Sequence, residues 1–306
     1  MSGKTMEKIA LATCREYADL TVEDKLLADC LRNLGFDPKP LVWNEPNQSL
    51  ADSSAVVVRS CWDYHKKPQE FLAWIGKLES NGVKVLNPPN ILRWNVDKTY
   101  LRELEKSGVK IPPTVWFEKG AAGSLSKILA ENYWQKAVLK PTISATAWRT
   151  FIVTPENADE LQPELENLLL TGGAMVQKFV AEIQTKGEWS FVFFNKEFSH
   201  AVLKRAKTGD FRVQDNFGGS VEMSVEPAAA LVETAQKIVE NIGEDLLYAR
   251  VDGAEIAGEF CLMELELIEP VFFLENNLSA ATKFAAAIAR RLEPTNVKTT
   301  NQMVGF

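Results

Sequence analysis

The chain has 306 residues, 46% of them apolar and 25% charged, the make-up of a folded globular protein rather than a disordered one. Its formal charge of −7 argues against nucleic acid or an anionic membrane as a general partner, because no surplus of Lys and Arg exists to neutralise phosphates over a wide surface. Small molecules and divalent cations fit better. Cys14, Cys30, Cys61 and Cys261 form no C-x-x-C pair and only His65 and His200 could join them, which supports neither a disulfide framework nor a zinc site and points to a reducing cytoplasm.

The opening MSGKTMEKIALATCRE has too short an apolar run for a signal peptide, and no stretch approaches ~18 consecutive apolar residues, so neither export nor a membrane span is expected. Ser2-Gly3-Lys4-Thr5 lacks the earlier Gly and preceding strand of a phosphate-binding loop. Residues 7–95 alternate apolar runs with helical patterns: KIALATC, a helix from Thr21 closed by Gly35, PKPLVW, AVVVRS, a helix over PQEFLAWIGKLESNG, and VKVLN. This alternation predicts a doubly wound parallel sheet, an N-terminal α/β domain over 1–95. A helix over DKTYLRELEKSG, IPPTVWF, a helix from Ser124 to Glu131, the strand KAVLKP, strand-like WRTFIV and a helix near Asn157 to Leu170 predict a smaller α+β unit over 96–178. The strands then become crowded and antiparallel in character: GAMVQKFV, EWSFVFFN, EFSHAVLKR and FRVQ. The helix PAAALVETAQKIVENIG, the pair DLLYARVDG and FCLMELEL, a helix from Ser279 to Leu292 and a polar tail complete a unit over 179–306. No repeat or low-complexity linker separates the units, so tight packing is expected.

Within LMELELIEP, Glu264 and Glu266 lie two apart on an otherwise apolar strand and so share one face. At roughly 6 to 7 Å and an effective dielectric near 20, their repulsion is on the order of 2 to 3 kcal/mol, which something should offset. If LLYARVDG and EFCLMELEL pair as a hairpin through the turn-like AEIAG, Asp252 joins them. Three convergent carboxylates suit Mg²⁺ or Mn²⁺; the bland alternative is a strand face turned to water.

Lys140 ends the apolar strand KAVLKP and precedes TISATA, whose small residues let backbone N–H groups approach an anion. A lysine there is most often a solvated terminus, and Lys98, after RWNVD, has the same ambiguity. Arg212 in GDFRVQDNFGG stands where a guanidinium can hold a phosphoryl or carboxylate group, or merely pair with Asp210 or Asp215.

Together and in this order, NVDKTYL, VLKP, QKFV, GDFRVQDNFGG, RVDG and MELE resemble the ATP-grasp ligases, which include glutathione synthetase, D-alanine:D-alanine ligase and the ribosomal-protein glutamate ligases. The resemblance covers most of the chain and implies an ATP-grasp fold behind an N-terminal doubly wound domain, with ATP and Mg²⁺ as cofactors. By position it makes Lys98 and Lys140 the phosphate-contacting lysines and Gln177-Lys178-Phe179-Val180 the adenine-reading hinge. Glu182 or Glu188 becomes the ribose partner, Arg212 the contact to the transferred phosphoryl group, and Asp252, Glu264 and Glu266 the magnesium ligands. Two departures are visible: the loop 142–147 is not glycine-rich, and the last metal position is Glu266 where Asn is frequent. Within the family, RSCWDYH, FSHAVLKR, GDFRVQ and MELELIEP look most like the O-ureido-D-serine cyclo-ligase-like proteins.

The implied reaction forms an acyl phosphate and ADP from a substrate carboxylate, after which an amine or similar nucleophile displaces phosphate, within one molecule in the case of ring closure. Lys140 and Arg212 would stabilise the transferring charge. Ligands of open α/β sheets bind at strand carboxyl ends, which nominates Arg59 for a substrate carboxylate, Trp62 and Tyr64 as pocket walls, Arg15 at a similar strand end, and His200 and Lys204 across the cleft. Covering the domain joint is the equal alternative for those aromatics, and Cys61 reads as a packed thiol. A regulatory nucleotide-binding module of the same architecture is the rival function. A dinucleotide oxidoreductase is disfavoured, because ALATCREYAD lacks the G-x-G-x-x-G turn. Dimers are common among relatives, which keeps a homodimer open.

Overall fold

The computed structural model describes residues 6–46, 53–207 and 219–293. In the N-terminal part, β1 (Lys8–Thr13), β2 (Asp37–Val42), β3 (Ala55–Ser60) and the short β4 (Val85–Leu86) form a parallel sheet in the order β2-β1-β3-β4. The intervening helices are α1 (Val22–Asn33) and α2 (Pro68–Ser80). Thr21 caps α1, its hydroxyl accepting the Asp24 N–H at 3.0 Å, and Leu27, Ala28 and Leu31 turn to the core. The sequence reading gives no helix at α3 (Pro89–Asn95), which opens on a proline; at the first helical position proline forgoes only an N–H that has no partner there.

After α4 (Tyr100–Lys106), the small central unit is an antiparallel sheet in the order β5-β8-β6-β7. Its strands are β5 (Thr114–Phe117), β6 (Ala137–Pro141), β7 (Phe151–Val153) and β8 (Ala174–Lys178). The helices α5 (Leu125–Glu131) and α6 (Ala158–Thr171) bury Leu125, Leu129, Leu165 and Leu169 against Leu139 and Val176. Although expected with this unit, α4 leaves it: Leu101 and Leu104 pack with Phe191 and Phe193 of the next sheet.

A short α7 (Glu182–Thr185) leads into an antiparallel sheet in the order β11-β10-β9-β12-β13. These strands are β9 (Glu188–Phe194), β10 (Glu197–Arg205), β11 (Ser220–Glu222), β12 (Tyr248–Ile256) and β13 (Glu259–Glu266), with α8 (Ala229–Asn241) before β12 and α9 (Leu278–Leu292) closing the fold. The expected strand FRVQ lies outside the described residues, as does Arg212. The β12–β13 turn is Ala257-Gly258 rather than AEIAG; both residues take positive φ, +51° and +84°, the requirement of a tight two-residue hairpin.

Alternation gives the large sheet two unlike faces. Trp189, Phe191, Phe193, Leu203, Val251 and Leu265 pack on α8 and α4. The other face is apolar at one end, where Val192, Phe194 and Tyr248 meet Phe272 and Phe284 beside the N-terminal sheet, and charged at the other. Edge strand β13 is covered as well as paired. Asn95 accepts from Leu267 N–H and donates to Leu265 C=O, both at 2.8 Å, while Asn87 donates to Leu267 C=O at 2.9 Å. No described helix is long and apolar enough to cross a membrane.

Candidate active site

The charged end of that face, the tip of the central sheet and the loops after β1 and β3 enclose a cavity of about 490 Å³. Register explains its chemistry. Arg250 pairs with Glu266 and Asp252 with Glu264 across β12–β13, so all four side chains rise from one face. Ser190 stands opposite Asp252 on β9, and Glu188 opposite Lys204 on β10.

The like charges foreseen in LMELELIEP are offset here by the protein's own cations. Lys98 Nζ lies 3.1 Å from Glu264 and also donates to the Ser144 carbonyl. The Arg250 guanidinium bridges Glu266 and Asp252, 2.8 Å from the latter. Asp252 additionally accepts from Ser190 Oγ at 2.6 Å and Lys204 Nζ at 3.2 Å, and Lys204 reaches Glu188 at 2.6 Å. Burial opposes the charge on Asp252 and on Glu264, but Arg250 and Lys204 hold Asp252 below the usual carboxylate range and Lys98 with Lys140 does the same for Glu264. Arg250 commits most of its contacts to Asp252, so burial, with both neighbouring acids, pushes Glu266 up to about 7. Burial likewise drives Lys140, whose nearest partner is Gln177 Oε1 at 3.4 Å, down to about 8.

Magnesium prefers oxygen donors and retains places for phosphates and water. Glu264 and Glu266 fit: each has one carboxylate oxygen in an ion pair, while the other accepts no hydrogen bond from the described residues. Asp252 fits less well, since both its oxygens are already engaged. Among the described residues no group of three or more Asp, Glu, His or Cys side chains stands arranged to hold a metal ion.

Gln177, Lys178, Phe179 and Val180 all line the cavity. The Lys178 and Phe179 N–H groups donate to Pro113 and Lys136 carbonyls at 2.8 and 3.1 Å, whereas Val180 N–H donates to no described residue. Glu188 lines the cavity; Glu182, on α7, does not. Trp62 and Tyr64 are pocket walls, joined by Tyr17 edge-on to Trp62 at 4.9 Å.

Three expectations for substrate contacts are corrected. Arg59 is buried away from the cavity, because Glu23 and Asp24 at the start of α1 hold it at 2.6 and 2.8 Å and the Phe272 ring lies 4.4 Å below its guanidinium. Arg15 is a surface residue paired with Glu45 at 2.9 Å. His200 faces the segment after β13, its Nε2 lying 2.9 Å from the Phe272 carbonyl. Lys204 does line the cavity, its Nζ paired with Glu188 and Asp252. Sequence reasoning missed Arg250, although its place two residues before Asp252 on one strand was the available signal, and it missed Glu269 and Tyr17. Cys61 is a packed thiol, raised by burial.

Residues 9–87 match the family model described as the N-terminal domain of the D-cycloserine synthetase DcsG. Over 305 residues the chain is 28% identical to the cycloserine biosynthesis protein DcsG of Streptomyces lavendulae, covering 94% of this chain and 99% of that one. Its fold superposes on the crystal structure of D-cycloserine synthetase DcsG with a TM-score of 0.82 at 24% identity, covering 94% of this chain and all of that one. The D-alanine–D-alanine ligase from Bacillus anthracis complexed with ATP follows at TM-score 0.67 and 17% identity, with 94% and 97% covered. The ATP-grasp resemblance drawn from the sequence therefore holds in the fold, over nearly the whole chain.

Proposed function

We propose that this chain, an ATP-dependent ligase with the ATP-grasp fold, activates the carboxylate of an amino acid-like molecule as an acyl phosphate and closes it into a ring, as the likeness to a cycloserine biosynthesis protein suggests. The observation that carries the reading is the convergence, on one sheet face beside the Gln177–Val180 hinge, of two carboxylates with free oxygens and the cations Lys98, Lys140 and Arg250.

The Val180 N–H would serve as the hinge donor for adenine, and Glu188, which lines the same cavity, would serve as the ribose partner. Lys98 and Lys140 would hold the phosphate oxygens, and Arg250, fixed by Asp252 and Glu266 in the wall of the same cavity, would add positive charge near the γ-phosphoryl group as it moves to the substrate carboxylate. Magnesium or manganese held by Glu264 and Glu266, with Asp252 behind them, would neutralise β- and γ-phosphate oxygens. A nitrogen of the same substrate then displaces phosphate, forming the C–N bond. The loop 142–147, through Thr146 and Ala147, shields the cavity from water that would hydrolyse the acyl phosphate.

O-ureido-D-serine with Mg·ATP should give D-cycloserine with one ADP and one phosphate per ring closed, the carbamoyl group on the ring nitrogen leaving by hydrolysis with one water as carbon dioxide and ammonia. ADP without the ring product would contradict ring closure, and no ADP with any amino acid or N-substituted derivative would leave the regulatory module, which the internal pairing of Asp252 with Arg250 and Lys204 favours.

A further inference from the structure

Glu275 at the cavity's rim is exposed; of the other carboxylates lining the cavity, Glu188, Asp252, Glu264 and Glu266 each meet a Lys or Arg. Glu269, three residues beyond Glu266, does not: it lines the same cavity, yet its carboxylate makes no hydrogen bond or ion pair with any described residue. Its root is nonetheless fixed, since the Glu269 carbonyl accepts the Trp62 indole N–H at 3.0 Å. Burial, and then the neighbouring Glu266 charge, pushes its carboxyl well above the ordinary range, as befits an acid with no cation of its own. Beside it stand aromatic walls: Trp62, Tyr17 edge-on to it at 4.9 Å, and Tyr64. An unpaired carboxylate next to aromatic faces is the combination that holds an ammonium group, through charge-assisted hydrogen bonds and cation–π attraction.

We propose that Glu269 holds the ammonium group of the ligase's organic substrate, with Trp62 and Tyr17 around it, so that the substrate carries a free amino group besides the carboxylate it presents for activation. The proposal deepens the ligase reading and rests on it. It also gives the cavity a selective polarity: a molecule with a hydroxyl in place of the amino group leaves the half-buried Glu269 uncompensated, which disfavours its binding.

Calorimetry on the full chain with Mg²⁺ and AMP-PNP present tests this with D-serine, D-cycloserine and O-ureido-D-serine as probes, and D-glycerate as the hydroxy counterpart of D-serine. At least one amino-bearing probe should bind, and D-glycerate should bind about 30-fold more weakly than D-serine, or worse. Glu269→Gln should weaken the amino-bearing probes about 30-fold while leaving Mg·AMP-PNP affinity within about twofold. Amino-bearing probes that bind Glu269→Gln and the wild type alike would overturn the proposal, as would D-glycerate binding as tightly as D-serine or no probe binding at all. A loss of Mg²⁺ affinity in Glu269→Gln would overturn it too, by making Glu269 a metal ligand. The comparison of D-serine with D-glycerate needs no variant, so it decides even if Glu269→Gln fails to fold. Failure of the ligase reading is separate: amino-selective binding without ADP release.

Discussion

Arg250 stands directly across the β12–β13 ladder from Glu266 and, on the same face, bridges to Asp252 two residues along its own strand at 2.8 Å. One guanidinium thus keeps two buried carboxylates from facing each other unscreened. Removing one partner of a buried ion pair leaves an uncompensated charge, at a cost of about 3 to 5 kcal/mol. Arg250→Ala should lower unfolding free energy by about that amount in urea titration, and ADP release should fall by about 10²-fold or more in whatever fraction stays folded.

Arg59 should behave in the opposite way in function. Its guanidinium ties Glu23 and Asp24 of α1 to the Pro270 carbonyl and the Phe272 ring, so Arg59→Ala should again cost about 3 to 5 kcal/mol in stability. KM for the carboxylate substrate, measured below the unfolding transition, should stay within about threefold of the wild type. A large rise in KM without loss of stability would restore Arg59 to the substrate site.

Lys140 gives the nucleotide site a pH dependence. Burial lowers it from 10.5 to about 8, so in the free protein it is charged below pH 8 and increasingly neutral above. A bound triphosphate favours the charged form and raises the value again, so binding takes up a proton between about pH 8 and 10 and affinity falls by up to ~10-fold per pH unit there. Calorimetry of AMP-PNP binding at pH 9 in buffers of different ionisation enthalpy should register that uptake, and Lys140→Arg should abolish it.

How much of this was legible in the sequence follows from the range of the interactions involved. The alternation in EWSFVFFN and DLLYARVDG fixes which residues share a face, and the small-residue turn after β12 fixes the hairpin, so Asp252, Glu264 and Glu266 come together from local pattern alone. Arg59 was misread because a strand end says nothing of Glu23 and Asp24, acids on a helix 35 and 36 residues away in sequence. Glu269 is passed over since its meaning lies in what it lacks: only the assembled cavity shows that Glu188, Asp252, Glu264 and Glu266 beside it have each found a cation. The missing glycines of the loop 142–147 were legible, but the backbone consequence was not.

That consequence is strain. Thr146, Ala147 and Arg149 take φ values of +52°, +54° and +50°, which cost a residue with a Cβ roughly 1 to 2 kcal/mol each. Ala147→Gly removes that cost at the expense of about 0.4 to 1 kcal/mol of unfolded-chain entropy, so stability should rise slightly, by up to about 1 kcal/mol in urea titration. A clear loss of stability would show that the loop is not strained.

The most direct measurement is a crystal of the protein with Mn²⁺ and AMP-PNP, examined for anomalous scattering. The metal is expected between Glu264 and Glu266 with oxygen distances of about 2.1 to 2.2 Å, and the triphosphate between Lys98 and Lys140. Nucleotide bound outside this cavity, or a metal peak remote from both glutamates, would contradict the assignment of this face as the site of phosphoryl transfer.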